Sequence, residues 1–363
     1  MIVTRVSGWV MAVCFILLLS GCVISPRRPD PGAGSGGGTP TPTPTPTPVP
    51  TPTPTPAPTG KLYVSNDTAN AILRFDNAFT ANGAATPAAP VTGASTKLNS
   101  PQYVFLDAAT DQLYVANSGT SSILVFSNAS AMSGNVAPSR EITATLLGGP
   151  SDLALDKTRD LLYVVDGADI VGFANASTAN GFLTPSQLLA LTFAPQAIFV
   201  DATNDRMYVA DPAGNRIVVF DAVSTLSGGV VASRTISGAG TQLAAPSGVL
   251  VDSGGRLVVT NSGTTPTITI YSNAATANGN LAPVAVISGA STTLSGPNQI
   301  VADSAPGGGE LYVADPTAGS VDIFANLAAA NGNIAPTRRL TGTGVTQGAA
   351  APTARGVALD VTR

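Results

Sequence analysis

Residues 207–220 read MYVADPAGNRIVVF. An aromatic sits between apolar neighbours, an Asp follows two places after Val209, and Pro-Ala-Gly-Asn then separates this run from a second that ends in Phe220. Short runs rich in Val, Ile and aromatics, bounded by turn formers, describe two strands joined by a tight turn rather than a helix. The first run has five counterparts: Leu62-Tyr63-Val64 before Asn66, Leu113-Tyr114-Val115 before Asn117, Leu162-Tyr163-Val164 before Asp166, Leu257-Val258-Val259 before Asn261, and Leu311-Tyr312-Val313 before Asp315. Successive copies lie 45 to 54 residues apart.

Other segments recur at matching offsets. Upstream, an apolar run ends in Asp at Asp107, Asp156, Asp201, Asp252 and Asp303; downstream, an Ile or Val begins a run ending in Phe75, Phe126, Phe173, Phe220, Tyr271 or Phe324. A turn follows, often Asn-Gly as at Asn82-Gly83 and Asn331-Gly332, and then a polar strand such as Arg140 to Thr143. Four short strands per unit, repeated six times, are the signature of propeller blades. The sixth Asp-ending run, Val357 to Asp360, has no Tyr-Val partner after it, and the first Tyr-Val run has no Asp-ending run before it. The two complete each other. Residues 61–363 are therefore expected to form an all-β, six-bladed β-propeller of four-stranded blades, the first closed by the C-terminal strand so that no sheet edge is left open there.

The units resemble NHL-repeat propellers, on Pro246-Ser247-Gly248-Val249, on Met207-Tyr208-Val209-Ala210-Asp211 and on Asn215-Arg216-Ile217-Val218-Val219-Phe220. The resemblance implies architecture more than activity, because this scaffold hosts lyases, lactonases and pure binding modules.

Ahead of the repeats, Arg5 precedes an apolar stretch from Gly8 to Leu19, too short to span a bilayer. Leu19-Ser20-Gly21-Cys22 resembles the lipobox of bacterial lipoproteins. That resemblance implies a signal peptide over 1–21 and a diacylglycerol on Cys22; the alternative is an ordinary secretory signal with Cys22 a passive thiol. Residues 22–60 carry the anchor Cys and a Gly/Ser stretch, then alternating Thr-Pro from Thr39, a polyproline II spacer between membrane and domain. In the lipoproteins of enteric bacteria that this segment resembles, an Asp where Val23 stands signals inner-membrane retention, so the resemblance implies the bacterial cell envelope, at the outer membrane or cell surface. The only other cysteine, Cys14, leaves with the signal, so the mature chain has no internal disulfide and depends on core size and closed topology.

Composition narrows the chemistry. Charged residues make up 10% of the chain and the net charge is −4, without the basic footprint that nucleic acid requires. The chain has no His, which removes imidazole bases, Ser-His-Asp triads and His-ligated metals. The resembling lyases depend on His and are excluded with them. Gluconolactonase-type propellers place a Glu with Asn and Asp around a divalent metal; here the only Glu residues are Glu141 and Glu310, neither where that ligand is expected. The only Trp, Trp9, lies in the signal, which weakens stacking on sugars.

Two sets of residues are candidates for a ligand face. By resemblance to such propellers, Asn66, Asn117, Asp166, Asp211, Asn261 and Asp315 would form a ring near the end of the channel where chain enters the inner strands. Such a ring could hold Ca²⁺ through oxygen, although a residue present in every blade more readily caps its own turn. Departures from the repeat are the sharper candidates. Asp152 stands where the other blades carry Tyr103, Ala197, Gly248, Gln299 and Gly356, and with Gln299 and Arg355 it makes a polar set at the expected channel mouth. The expected function is a non-catalytic binding or scaffold module, without a cofactor unless Ca²⁺ binds, tied to the membrane by its lipid and meeting a protein or glycan partner. A metal-dependent hydrolase of lactonase type is the alternative.

Overall fold

The computed structural model describes residues 59–88, 90–303, 309–341 and 354–362. The expected signal peptide, Cys22 anchor and Thr-Pro linker lie outside these residues.

Six small antiparallel sheets stand in a ring. Blade 1 contains β1 (Lys61–Asn66) and β2 (Ala71–Phe75). Blade 2 contains β3 (Pro101–Asp107), β4 (Gln112–Asn117), β5 (Ser122–Ser127) and β6 (Arg140–Thr143). Blade 3 has β7 (Asp152–Asp156), β8 (Leu161–Asp166) and β9 (Asp169–Ala174), then, after the short β10 (Gly181–Phe182), β11 (Gln187–Ala190). Blade 4 has β12 (Ala197–Asp201), β13 (Arg206–Asp211) and β14 (Arg216–Asp221), then, after β15 (Gly228–Gly229), β16 (Arg234–Ser237). Blade 5 is β17 (Pro246–Val251), β18 (Leu257–Asn261), β19 (Thr267–Tyr271) and β20 (Ala285–Ser288). Blade 6 is β21 (Ile300–Ala302), β22 (Leu311–Asp315), β23 (Ser320–Phe324) and β24 (Arg338–Leu340).

The final strand, β25 (Ala354–Asp360), returns to blade 1 and pairs antiparallel with β1 from Lys61↔Asp360 to Asn66↔Ala354. The expected closure is what the structure has. In place of a fourth strand, blade 1 uses Val91, which exchanges backbone hydrogen bonds with Ile72 at 2.8 and 3.0 Å.

Apolar side chains alternate along each strand and pack between neighbouring sheets, so the core is divided into six slabs, one per blade junction. The Tyr of the Tyr-Val runs is buried in these slabs at Tyr63, Tyr114, Tyr163, Tyr208 and Tyr312. Every slab is built from residues between 62 and 358, so the propeller is self-contained.

Polar devices repeat at the same junctions. A long side chain donates to carbonyls in the turn of the next blade: Arg74 to Met132, Arg140 to Ala176 and Ala179, Gln187 to Ser224 and Leu226, Arg234 to Ala275 and Ala277, Arg256 to Leu327, and Arg338 to Ala78 and Ala81. The Asn-Gly turns, and the Ser-Gly turns at Gly134 and Gly228, do more than turn. Gly83, Gly134, Gly181, Gly228, Gly279 and Gly332 each pair in parallel with the outermost segment of the preceding blade. All six have positive φ, from 63° at Gly83 to 80° at Gly228, a conformation that favours Gly. These pairings cover the edge that each blade would otherwise present to solvent.

Candidate functional site

The inner strands β3, β7, β12, β17, β21 and β25 surround the central channel and share one direction, so equivalent residues form layers along it. The first layer is Tyr103, Asp152, Ala197, Gly248, Gln299 and Gly356. Three apolar layers follow, running from Val104, Leu153, Ile198, Val249, Ile300 and Val357 to Leu106, Leu155, Val200, Val251, Ala302 and Leu359. The last layer is the set of Asp residues that end the runs.

The first layer closes the channel. Tyr103, 2% exposed, reaches from blade 2 to the Ser247 carbonyl in opposite blade 5 at 2.9 Å, and to the Asn298 side-chain amide ahead of blade 6. It packs within the slab between blades 4 and 5, far from its own sheet. Gly248 lies at the equivalent position of blade 5, where an added Cβ would collide with the Asn298 carbonyl. Gln299 ties three blades: its Oε1 accepts from the Val357 and Val104 N–H at 2.9 and 3.4 Å, and its Nε2 donates to the Val104 carbonyl at 3.1 Å. Gly356 leaves room for it, since a Cβ there would come 2.6 Å from Gln299 Oε1.

Asp152 completes the layer and is 2% exposed. Its Oδ1 accepts from the Leu153 N–H and its Oδ2 from the Ile198 N–H of the neighbouring blade, both at 2.7 Å. Burial outweighs these two donors and pushes its carboxyl up to about 8, so it is protonated at neutral pH. Burial, and then Asp152, raise the phenol of Tyr103 well above its ordinary value. The structure thus brings Asp152 and Gln299 into one layer. Arg355 lies just outside it, paired with Asp67 at 2.7 Å, on a polar dish of about 350 Å³ whose lining includes Gln196, Ser247 and Asn298.

The ring of Asx residues sits on the same face. Asn117 Oδ1 accepts from the Asn99 N–H, Asp166 from Gly148 and Gly149, Asn261 from Ala244, and Asp315 from Ser295 and Gly296, all in segments leading into inner strands. Asn66 and Asp211 cap their own turns through the Ala69 and Gly214 N–H. Among the described residues, no three His, Cys, Asp or Glu side chains come together as a metal-binding group.

Beyond the first layer the channel is a cavity of about 360 Å³ lined by the three apolar layers. Accessibility rises away from Tyr103: Val104 is 1% exposed, whereas Phe105 and Leu106 are half-buried, and the same gradient runs from Ile198 to Val200 and from Ile300 to Ala302. The lining reaches Asp252, Asp303 and exposed Ser253, so the cavity opens at the Asp end, opposite the mouth expected from the sequence. The reason is steric. Tyr103 is the only aromatic in a layer that also holds two glycines and an alanine, and it fills the cross-section they leave.

Tyr103 was the decisive residue that sequence reading passed over; the signal was an aromatic opposite Gly248 in a layer of otherwise non-aromatic residues. The rim Asp residues make turns and ion pairs. Asp107 pairs with Lys157 at 3.1 Å, Asp156 with Arg159 at 3.0 Å, and Asp252 with Arg256 at 2.6 Å.

No protein-family model and no curated protein matches the chain. Among solved structures it is similar to a chain from the complex of nidogen with laminin, with 14% identity over 83% of this chain and 98% of that one and a TM-score of 0.54. Weaker likenesses are to a Kuenenia stuttgartiensis hydrazine synthase (15% identity, 65% and 66% covered, TM-score 0.47) and to a protein of unknown function from Desulfotomaculum acetoxidans (12%, 73% and 75%, 0.48). At such identities the likeness to the nidogen–laminin chain shows the fold alone.

Proposed function

We propose that this propeller is of NHL-repeat type and serves as a non-catalytic binding or scaffold module, held at the bacterial outer membrane or cell surface by a lipid on Cys22. The observation that carries this reading is the use made of the side chains that break the six-fold pattern. Asp152, Gln299 and Tyr103 are engaged in hydrogen bonds between blades, where they brace a rigid disc, and Asp152 is neutral in a layer closed to the dish. A Thr-Pro spacer suits a disc that displays its faces to a protein or glycan partner away from the bilayer.

Cell fractionation tests the anchor, which needs more than one acyl chain for stable attachment. Wild-type protein is expected in the membrane fraction and to be displaced from it by Cys22→Ser; wild-type protein already soluble overturns the anchor. Metal analysis and thermal shift with Ca²⁺ and with chelator test the non-catalytic reading. A stoichiometric cation lost on Asp152→Ala, with melting temperature falling accordingly, would replace it with the lactonase-type hydrolase.

A further inference from the structure

We propose that the channel between the Tyr103 layer and the Asp rim binds a small, uncharged, largely apolar molecule that enters from the Asp end. This goes beyond the anchored module, since neither the lipid nor the faces of the disc are needed for it.

Size comes first. Ligand sites run from roughly 300 to 1,000 Å³, and an apolar cavity of about 150 Å³ already takes up benzene. At about 360 Å³ the channel has room for two fused or linked rings, or for a short chain. Shape comes second. The cavity is blind at Tyr103 and open at Ser253, so a guest is surrounded on its sides and stopped at one end. Phe105, Leu106, Phe199, Val200, Val301 and Leu359 are half-buried around this void, and covering their remaining apolar surface favours a guest that displaces water.

Charge decides the class. Among the described residues the lining holds no Lys or Arg, and its carboxyl groups at the open end are Asp252 and Asp303. An anionic guest, such as a fatty acid entering tail first, would hold its head at an end where no cation of the lining pairs with it.

The test uses the domain from residue 59 onward, free of detergent, with phenylnaphthylamine as a neutral fluorescent probe and anilinonaphthalene sulfonate as its anionic relative. Saturable one-to-one binding of the neutral probe is expected, with the sulfonate about tenfold weaker. Ala302→Trp fills the open half of the channel and should weaken the neutral probe about tenfold. Val301→Phe, on the same strand, serves if the first variant fails to fold. Phe182→Ser removes a ring that is 70% exposed on the outer surface and should leave binding unchanged. Three results would overturn the proposal: no saturable binding, equal affinity for the sulfonate, or probe binding that a folded channel variant leaves unchanged.

Discussion

At the scale of single residues, Asp152 shows how burial turns a carboxylate into a neutral brace. In the unfolded chain an Asp loses its proton near 3.8, whereas in the fold Asp152 keeps it up to about 8. Between these values unfolding releases a proton, so this group's contribution to stability is greatest at the acid side of the window and declines as pH rises toward 8. Each pKa unit corresponds to about 1.4 kcal/mol. Asp322, pushed by burial to about 7, acts in the same direction. Asp76, Asp107 and Asp221, whose pKa values are lowered, lose their contributions only on acidification below the ordinary Asp range. Melting temperature is therefore expected to fall between about pH 5 and about pH 8, and Asp152→Asn should halve the slope up to about pH 7, where Asp322 contributes equally, and abolish it above. A flat wild-type profile would refute the buried neutral carboxyl. The sequence marked Asp152 and Gln299 because they depart from a repeat, but it could not show their partners. Ile198 and Val357 belong to other blades, and which backbone N–H faces a side chain is settled only when the ring closes.

At the scale of strands and turns, the repeated Arg at the start of a blade's fourth strand is the clearest case. Arg140 lies over the Tyr114 ring at 5.4 Å and donates to two carbonyls of blade 3, each at 2.8 Å. Arg338 repeats this over Tyr312 across the junction between blades 6 and 1. Removing the fork takes the Arg140 donor from the Ala179 carbonyl and leaves the Ala176 carbonyl only the Tyr114 hydroxyl at 3.3 Å, so Arg140→Ala should cost about 2–3 kcal/mol in chemical denaturation. Arg140→Lys should recover less than half, because a single ammonium cannot match two acceptors and the ring face together. Full recovery by Lys would mean that charge alone matters. The strands themselves were legible in the sequence because their apolar periods repeat six times. The Asn-Gly segments were legible only as turns, since their pairing partners lie in the preceding blade, as Ile236 does for Gly279 and Leu340 for Gly83. Local sequence cannot encode that register; it arises when two blades pack.

At the scale of the whole ring, β25 holds the first blade's inner edge. Deleting 354–363 would bare β1 along six paired positions, open the slab between blades 6 and 1, and remove the Val357 N–H from Gln299. Loss of a cooperative melt, with aggregation through the bared edge, is the expected outcome in calorimetry and size-exclusion chromatography; an unchanged melting temperature would contradict the closure. The topology was legible because the last Asp-ending run lacks a partner, while the blocked channel end was not, because one ring of Tyr103 decides it. The clasp also sets an order in time. Ser65 and Gly356 meet across 291 residues of chain, so everything between them must leave the ribosome, and any export pore, before the circle can lock. Until then blade 1 waits half-built, and a chain that cannot lock early stays threadable for as long as threading lasts.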